Sequence, residues 1–355
     1  MSFFRNKHTA RIAVLVMSCL FSVLVTEINA QDKLYTNNFS LGEVTLLNGP
    51  FKQSMDLNIT TILKYDVDRL LAPYLKAAGL TPKGSSYVNW VDLDGHVGGH
   101  YLSALAMAYA ATGNTTCKSK MDYMVSELKR CQTANASNSI FVEYVGGVPD
   151  GKTCFTRIKN GDVGAVWDYW VPWYNVHKMY AGLRDAWLYG GNADARTIFL
   201  SFCDWAINLC SGLSDGQMQS MLGNEHGGIN EVFADAYQMT NNAKYMTMAK
   251  RLSHKTLLTP MSQSNDNLDN LHANTQVPKA VGFQRIADLS KDNTYYTAAK
   301  FFWETVVYKR SLALGGNSRE EHFPSIAECS EYTTVREGPE TCNSNNMLKL
   351  TEGLF

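Results

Sequence analysis

Glu340 and Cys342, in the stretch "GPETCNSNNMLKL", place a carboxylate and a thiol two residues apart at a turn into an apolar-periodic segment. A carboxylate and a thiolate at that spacing can reach one cation, and two such donors are half of what tetrahedral zinc takes. Just ahead of them, Glu320, Glu321, Glu328, Glu331 and Glu337 crowd one short stretch. An acidic run of this kind is first of all a solvated loop. Carboxylates beside a pocket also serve as general acids and bases.

The histidines form a second pattern. His96 and His100 lie in "DGHVGGHYLS", His177 in "WYNVHKMY", Glu225 and His226 in "NEHGGINE", and His272 in "LHANTQVPK". Each stands at or just before the start of a helix-period segment, whereas His254 and His322 do not. One such histidine is most simply a cap or a satisfied core group. Several in register predict one pocket lined by sequence-distant imidazoles. His96 and His100 have the i, i+4 spacing of a zinc-binding helix, but Val97, Gly98 and Gly99 leave no general base between them, and the segment reads instead as a closely packed helix start.

The elements that must position these residues recur along the chain. Apolar helical runs end in turns at Asn114, Asn192, Asn242 and Asn293, and a second helical run follows each. A helical hairpin repeating every ~50 residues predicts a solenoid or a closed toroid. The first helix of each pair is small and apolar, as an inner ring requires, and the second is more amphipathic. The expected fold is therefore all-α, an (α/α)6 barrel of helical hairpins. About ten helices are legible where six hairpins need twelve, with one of them around Met55–Leu71. The last run, "NSNNMLKLTEGLF", reads as an inner helix without an outer mate, so the barrel is expected to be incomplete at the C-terminus. Alternation in "FSLGEVTLLNGPF" (Phe39–Phe51) predicts a short N-terminal β segment within 31–54, ahead of a barrel over 55–355.

Composition bounds the partners. A net charge of -1 with 18% charged residues argues against nucleic acid held through phosphates. Aromatics at 11% suit stacking on sugar rings as well as a large core. Arg5, Lys7 and Arg11 precede the apolar run Ile12–Val25 and a small-residue site at Ala30, which predicts a cleaved signal peptide over 1–30 and a periplasmic or secreted protein. That run is too short for stable membrane insertion. Beyond Cys19, seven cysteines remain, an odd number, so at least one thiol is unpaired within the chain.

Taken in order, "LDGHVGGHYLSALAMAYAATGN", "VPWYNVHKMYAGLRDAWLYGGN", "EHGGINEVFADAY", "HANTQVPKAVGFQRIAD", "LGGNSREEHF" and "GPETCNSNNMLKLTEGLF" resemble the zinc-dependent β-L-arabinofuranosidase group, glycoside hydrolase families 127 and 146. The likeness spans residues 39–355. It implies an (α/α)6 barrel followed by β-sandwich domains, and a retaining glycosidase with a cysteine nucleophile beside a zinc ion held by one Glu and three Cys. By motif, the resemblance makes Glu340 and Cys342 zinc ligands and Glu321 the general acid/base. It makes His177, His226 and His272 the residues that hydrogen-bond the sugar. The implied substrate is an arabinose-containing oligosaccharide of the plant cell wall.

In the family the nucleophile and its neighbour come as a cysteine pair some tens of residues beyond the "ETC" motif. No two cysteines adjoin in this sequence. The resemblance therefore implies an incomplete zinc site, no nucleophile in this chain, and no activity from it alone. Two other readings stay open. One is a non-catalytic glycan-binding remnant that keeps the histidine pocket. The other is a glycosidase of the same fold with a different pectic sugar as substrate.

Overall fold

The computed structural model describes residue 34 and residues 39–88, 93–327, 332 and 334–355. The leader expected over 1–30, with Cys19, and the acidic-loop residues Glu328, Cys329 and Glu331 lie outside the described residues. Fourteen α-helices form among those described. The first seven are α1 (Pro50–Ile62), α2 (Val67–Ala77), α3 (His96–Thr112), α4 (Thr115–Ala134), α5 (Gly151–Lys159), α6 (Pro172–Leu188) and α7 (Ala193–Leu209). The others are α8 (Asp215–Met221), α9 (Ile229–Thr240), α10 (Ala243–Arg251), α11 (Lys255–Ser262), α12 (Ala273–Ser290), α13 (Asn293–Lys309) and α14 (Thr341–Leu354).

Burial separates the layers. α6 buries thirteen of its 17 residues and α12 twelve of its 18, whereas α13 buries six of 17. A helix covered nearly all round is an inner one, and a helix with a solvated face is an outer one. The inner helices follow each other round an arc, α3 on α6, α6 on α9, α9 on α12 and α12 on α14. Each of α3, α6, α9 and α12 is followed by an antiparallel outer mate, so all the inner helices run the same way and start on one rim. Met107, Arg184, Glu231, Arg285 and Lys349, one from each inner helix, line a cavity of about 320 Å³ that Phe39, Ser40 and Leu41 also border. The molecule is thus an all-α, barrel-like ring of helical hairpins.

The hairpins turn on one device. Gly113, Asn241 and Lys291 end α3, α9 and α12 in the left-handed region, with φ of 70°, 53° and 55°. The next residue in each case, Asn114, Asn242 or Asp292, accepts hydrogen bonds from the first backbone N–H groups of the outer helix. In the last hairpin the cap is therefore Asp292, one residue before the expected Asn293. Lys291 carries a Cβ where glycine is favoured. Lys291→Gly is expected to raise stability by about 1 kcal/mol, read as a higher urea midpoint. Its ion pair with Asp288, 3.6 Å long and exposed, adds little to offset this.

Two expectations change. The helix read around Met55–Leu71 is two helices, broken at Leu63–Tyr65, with Asp66 capping α2 through Asp68 N at 2.9 Å. The expected N-terminal β segment is absent among the described residues. Leu41–Glu43 is a single 3-10 turn closed by a Ser40–Glu43 capping box, and Pro50 starts α1. The apolar alternation faces solvent, with Val44 55% and Leu47 84% exposed, and no sheet among the described residues gives it a buried face.

Five of the described cysteines belong to the core. Cys117, Cys131, Cys154, Cys203 and Cys210 are buried and free. Cys117 and Cys131 sit fourteen residues apart on α4, about 21 Å along the helix axis, which is far beyond disulfide reach.

Two features hold the ring together near the site. At the α3–α6 seam a Cβ on Gly99 would fall 2.1 Å from the Lys178 carbonyl, and one on Gly182 would fall 2.6 Å from the Gly99 oxygen. Only glycine allows the helices to approach this closely. Below the rim a buried ion network spans α6, α9 and α12. Asp235 accepts from Arg184 Nη1 and from Arg285 Nε, both at 2.7 Å, and Arg184 also reaches Glu231 at 2.8 Å.

Candidate active site

The residues that the resemblance gives roles in the site, His177, His226, His272, Glu321, Glu340 and Cys342, gather at the rim where the inner helices begin. His177 lies in the first turns of α6, His226 precedes α9, His272 caps α12, and Glu340 is the residue before α14, whose second residue is Cys342. Glu321 comes from the loop after α13.

That loop is tied at both sides. Glu321 O accepts from Ala273 N at 2.7 Å, Arg319 and His322 exchange backbone hydrogen bonds, and Glu320 N donates to Glu337 O at 2.9 Å. Ser318 Oγ accepts from Asn343 Nδ2 at 2.7 Å, which fixes the loop to the start of α14. Glu320 and Glu321 are both left-handed, with φ of 46° and 67°. Two successive non-glycine residues in that region mark a conformation imposed by these ties, of the kind that clusters at functional sites. The turn brings the Glu321 carboxylate within 3.6 Å of His272 Nε2 while leaving 58% of its side chain exposed.

From His272 a file of polar groups runs round the rim. Gln276 Nε2 donates to His272 O at 3.4 Å, and Lys279 Nζ reaches Gln276 Oε1 at 3.0 Å and His254 Nδ1 at 3.1 Å. The His254 ring lies edge-on to His226, with centroids 5.8 Å apart. His177 packs on the glycine pair after His226, where a Cβ on Gly227 would stand 2.4 Å from His177 Nδ1. The structure thus joins His177, His226, His272 and Glu321 in one continuous array. The array includes two members absent from the sequence reading, His254 and Lys279, and ends beside a third, His322, whose ring lies 5.3 Å from His272.

Partners set the tautomers. His226 Nδ1 donates to Asn224 O at 2.9 Å, so its Nε2 is an acceptor, buried and without a protein partner among the described residues. His272 Nδ1 accepts from Thr275 N, which leaves Nε2–H to face Glu321. The first can take a proton from a sugar hydroxyl in a hydrogen bond, and the second can stabilise the Glu321 carboxylate. Burial favours the neutral form of the imidazoles it covers most. His177 and His226 are pushed well below the usual range by desolvation, His254 falls to about 4, and His100 falls to about 3 with help from Lys178 and His96. His96 and His100 stand 6.2 Å apart edge-on, and His96 Nδ1 is engaged with Leu93 O at 2.7 Å.

Cys342 Sγ lies 3.5 Å from Glu340 Oε2 as a thiol donating to a carboxylate. Burial first, and then the Glu340 charge, push the thiol up to about 11. Two donors sharing one proton are placed to share a divalent cation in its stead, and carboxylate with thiolate suits zinc. The pair fits one edge of a zinc site. No group of three or more metal-ligating side chains gathers among the described residues.

Comparison with known proteins shows the family and the fold. The sequence matches the description "Beta-L-arabinofuranosidase, GH127 catalytic domain" over residues 43–355. No curated protein matches it. Among solved structures, a GH127 β-L-arabinofuranosidase from Geobacillus stearothermophilus T6 superposes with a TM-score of 0.62 at 13% identity, over 88% of this chain and 52% of that one. A second GH127 β-arabinofuranosidase gives 0.59 at 16% identity, over 85% and 49%. At such identities the likeness speaks for the fold, and the chain spans about half the length of these structures. The match across residues 43–355 places this chain in the GH127 β-L-arabinofuranosidase catalytic-domain family of glycoside hydrolases.

Proposed function

We propose that the chain supplies the sugar pocket, the general acid/base and half of the metal cage of a secreted, zinc-dependent retaining β-L-arabinofuranosidase that acts on arabinose-containing plant glycans. The observation that carries this reading is the Glu321 carboxylate held against His272 on the same rim as the Glu340–Cys342 pair, through loop ties to α12 and α14. Glu321, exposed to the pocket and facing the His272 Nε2–H, protonates the departing glycosidic oxygen and then takes a proton from water. His226 accepts from a sugar hydroxyl, and His177 lies against the turn that carries it. Glu340 and Cys342 would hold zinc, which when bound keeps cysteine sulfur as thiolate at neutral pH.

The attacking sulfur of such a mechanism is not among the described cysteines. Five are buried, and Cys342 holds the ligand position. The chain alone is therefore expected to bind the sugar without turning it over. Calorimetry with methyl β-L-arabinofuranoside, a nitrophenyl β-L-arabinofuranoside assay and metal analysis together test this. Binding without release of nitrophenol fits the proposal. Turnover with one zinc per chain would overturn the assignment of Cys342, and no binding would overturn the pocket.

A further inference from the structure

Ser318 lies fully buried in the loop between α13 and α14, three residues before Glu321. Its side chain reaches the turn that starts α14. Ser318 Oγ accepts from Glu340 N at 3.4 Å and from Asn343 Nδ2 at 2.7 Å. A serine oxygen has two lone pairs, and these two bonds use both. They grip the chain on either side of Thr341 and Cys342, so the segment that carries the two metal donors is pinned at each end. Within that grip Cys342 Sγ lies 3.5 Å from Glu340 Oε2. Asn343 is fully buried as well, and its Oδ1 has no partner among the described residues, so the bond to Ser318 sets the direction of the amide. Burying two polar side chains is costly unless they bond each other, which these do.

We infer that Ser318 is a positioning residue, which holds Glu340 and Cys342 ready for the metal and anchors them to the loop that carries Glu321. This deepens the proposed function and rests on it. Donors that must be ordered when the cation arrives lose affinity to that ordering, and partners outside the ligand set remove the cost. The helix cannot supply such partners here, because the first N–H groups of a helix have no acceptor within it. Ser318 supplies one from another segment of the chain. Docking of α14 does not depend on it. Met347 and Leu350 are buried on that helix, Asn346 Nδ2 donates to Asn274 Oδ1 at 2.8 Å, and Trp303 Nε1 donates to Thr351 Oγ1 at 2.8 Å. The serine hydroxyl thus acts on the metal pair through Glu340 and Asn343, while the rest of the helix is held by other contacts.

The test is titration of the full chain with cobalt(II), a spectroscopic stand-in for zinc, followed by the thiolate-to-cobalt absorption in the near ultraviolet. The unmodified chain is expected to show this band and Cys342→Ser to lack it, which assigns the sulfur. Ser318→Ala should bind cobalt about tenfold or more weakly, with a fainter thiolate band per bound metal, and should still unfold cooperatively on heating. Ser318→Thr keeps the hydroxyl and should recover most of the affinity. Asn343→Ala reads the same bond from its other end, and the double substitution with Ser318→Ala should lose less than the product of the two single losses. Ser344→Ala deletes an exposed 3.0 Å bond to Gly315 O between the same loop and the same helix, and should bind cobalt as the unmodified chain does. Unchanged affinity and spectrum in Ser318→Ala, or equal losses in Ser318→Ala and Ser318→Thr, would overturn the positioning role while leaving the metal pair in place. No thiolate band from the unmodified chain would remove the Glu340–Cys342 half of the metal cage, and this inference with it.

Discussion

Asp235→Ala is expected to cost about 3–5 kcal/mol and to leave the protein largely unfolded a few degrees above ambient temperature. Asp235 is fully buried and binds two guanidinium groups from helices on either side of its own. Without it, Arg184 and Arg285 lose the buried carboxylate that they share. Arg184 keeps Asp185 and Glu231, and Arg285 keeps Asp288, but Asp288 is half-exposed and screened. Urea unfolding should show a much lower midpoint at unchanged slope. A loss below 1 kcal/mol would mean that the network is incidental to the ring.

Gly99→Ala is expected to be nearly as damaging, at about 3 kcal/mol. The added methyl meets backbone on the facing helix, and backbone cannot rotate away as a side chain can. The seam must open, and Lys178 and its neighbour His177 move with it. Stability and sugar affinity should therefore fall together. Gly212→Ala, where a Cβ meets nothing within 4 Å, serves as the control and should leave both unchanged. A Gly99→Ala protein with native stability would show that the helices sit further apart than described.

The hairpins were legible because their signal is local. Apolar periodicity and Asn-capped turns lie within one segment, and the caps form as expected at Asn114, Asn192 and Asn242. The N-terminal alternation misled for the complementary reason. Phe39–Phe51 has the period of a strand, but a strand needs a neighbour, and sequence alone does not supply one. Glu340 and Cys342 could be paired from spacing, since two residues at the start of a helix stay close. The Arg184–Asp235–Arg285 network could not, because its members are about 50 residues apart and each looks like the solvated face of a helix. His254 and His322 were passed over because neither stands at an inner-helix start. His254 instead caps the short α11 and meets Lys279 from a different hairpin. Lys178 and Lys279 carry no local sign of burial, which comes from helices distant in sequence that pack over them.

The two ends of the ring are unequal in how much chain they spend. At one end Gly113–Asn114, Asn241–Asn242 and Lys291–Asp292 close their hairpins with two residues apiece, leaving no room for variation. At the other, long excursions such as 310–340 carry the reactive groups, and loops of that kind tolerate rewriting while the scaffold stays fixed. A family built on this plan can change its chemistry by editing one face alone, and an engineer seeking a new specificity here has the same freedom and the same constraint.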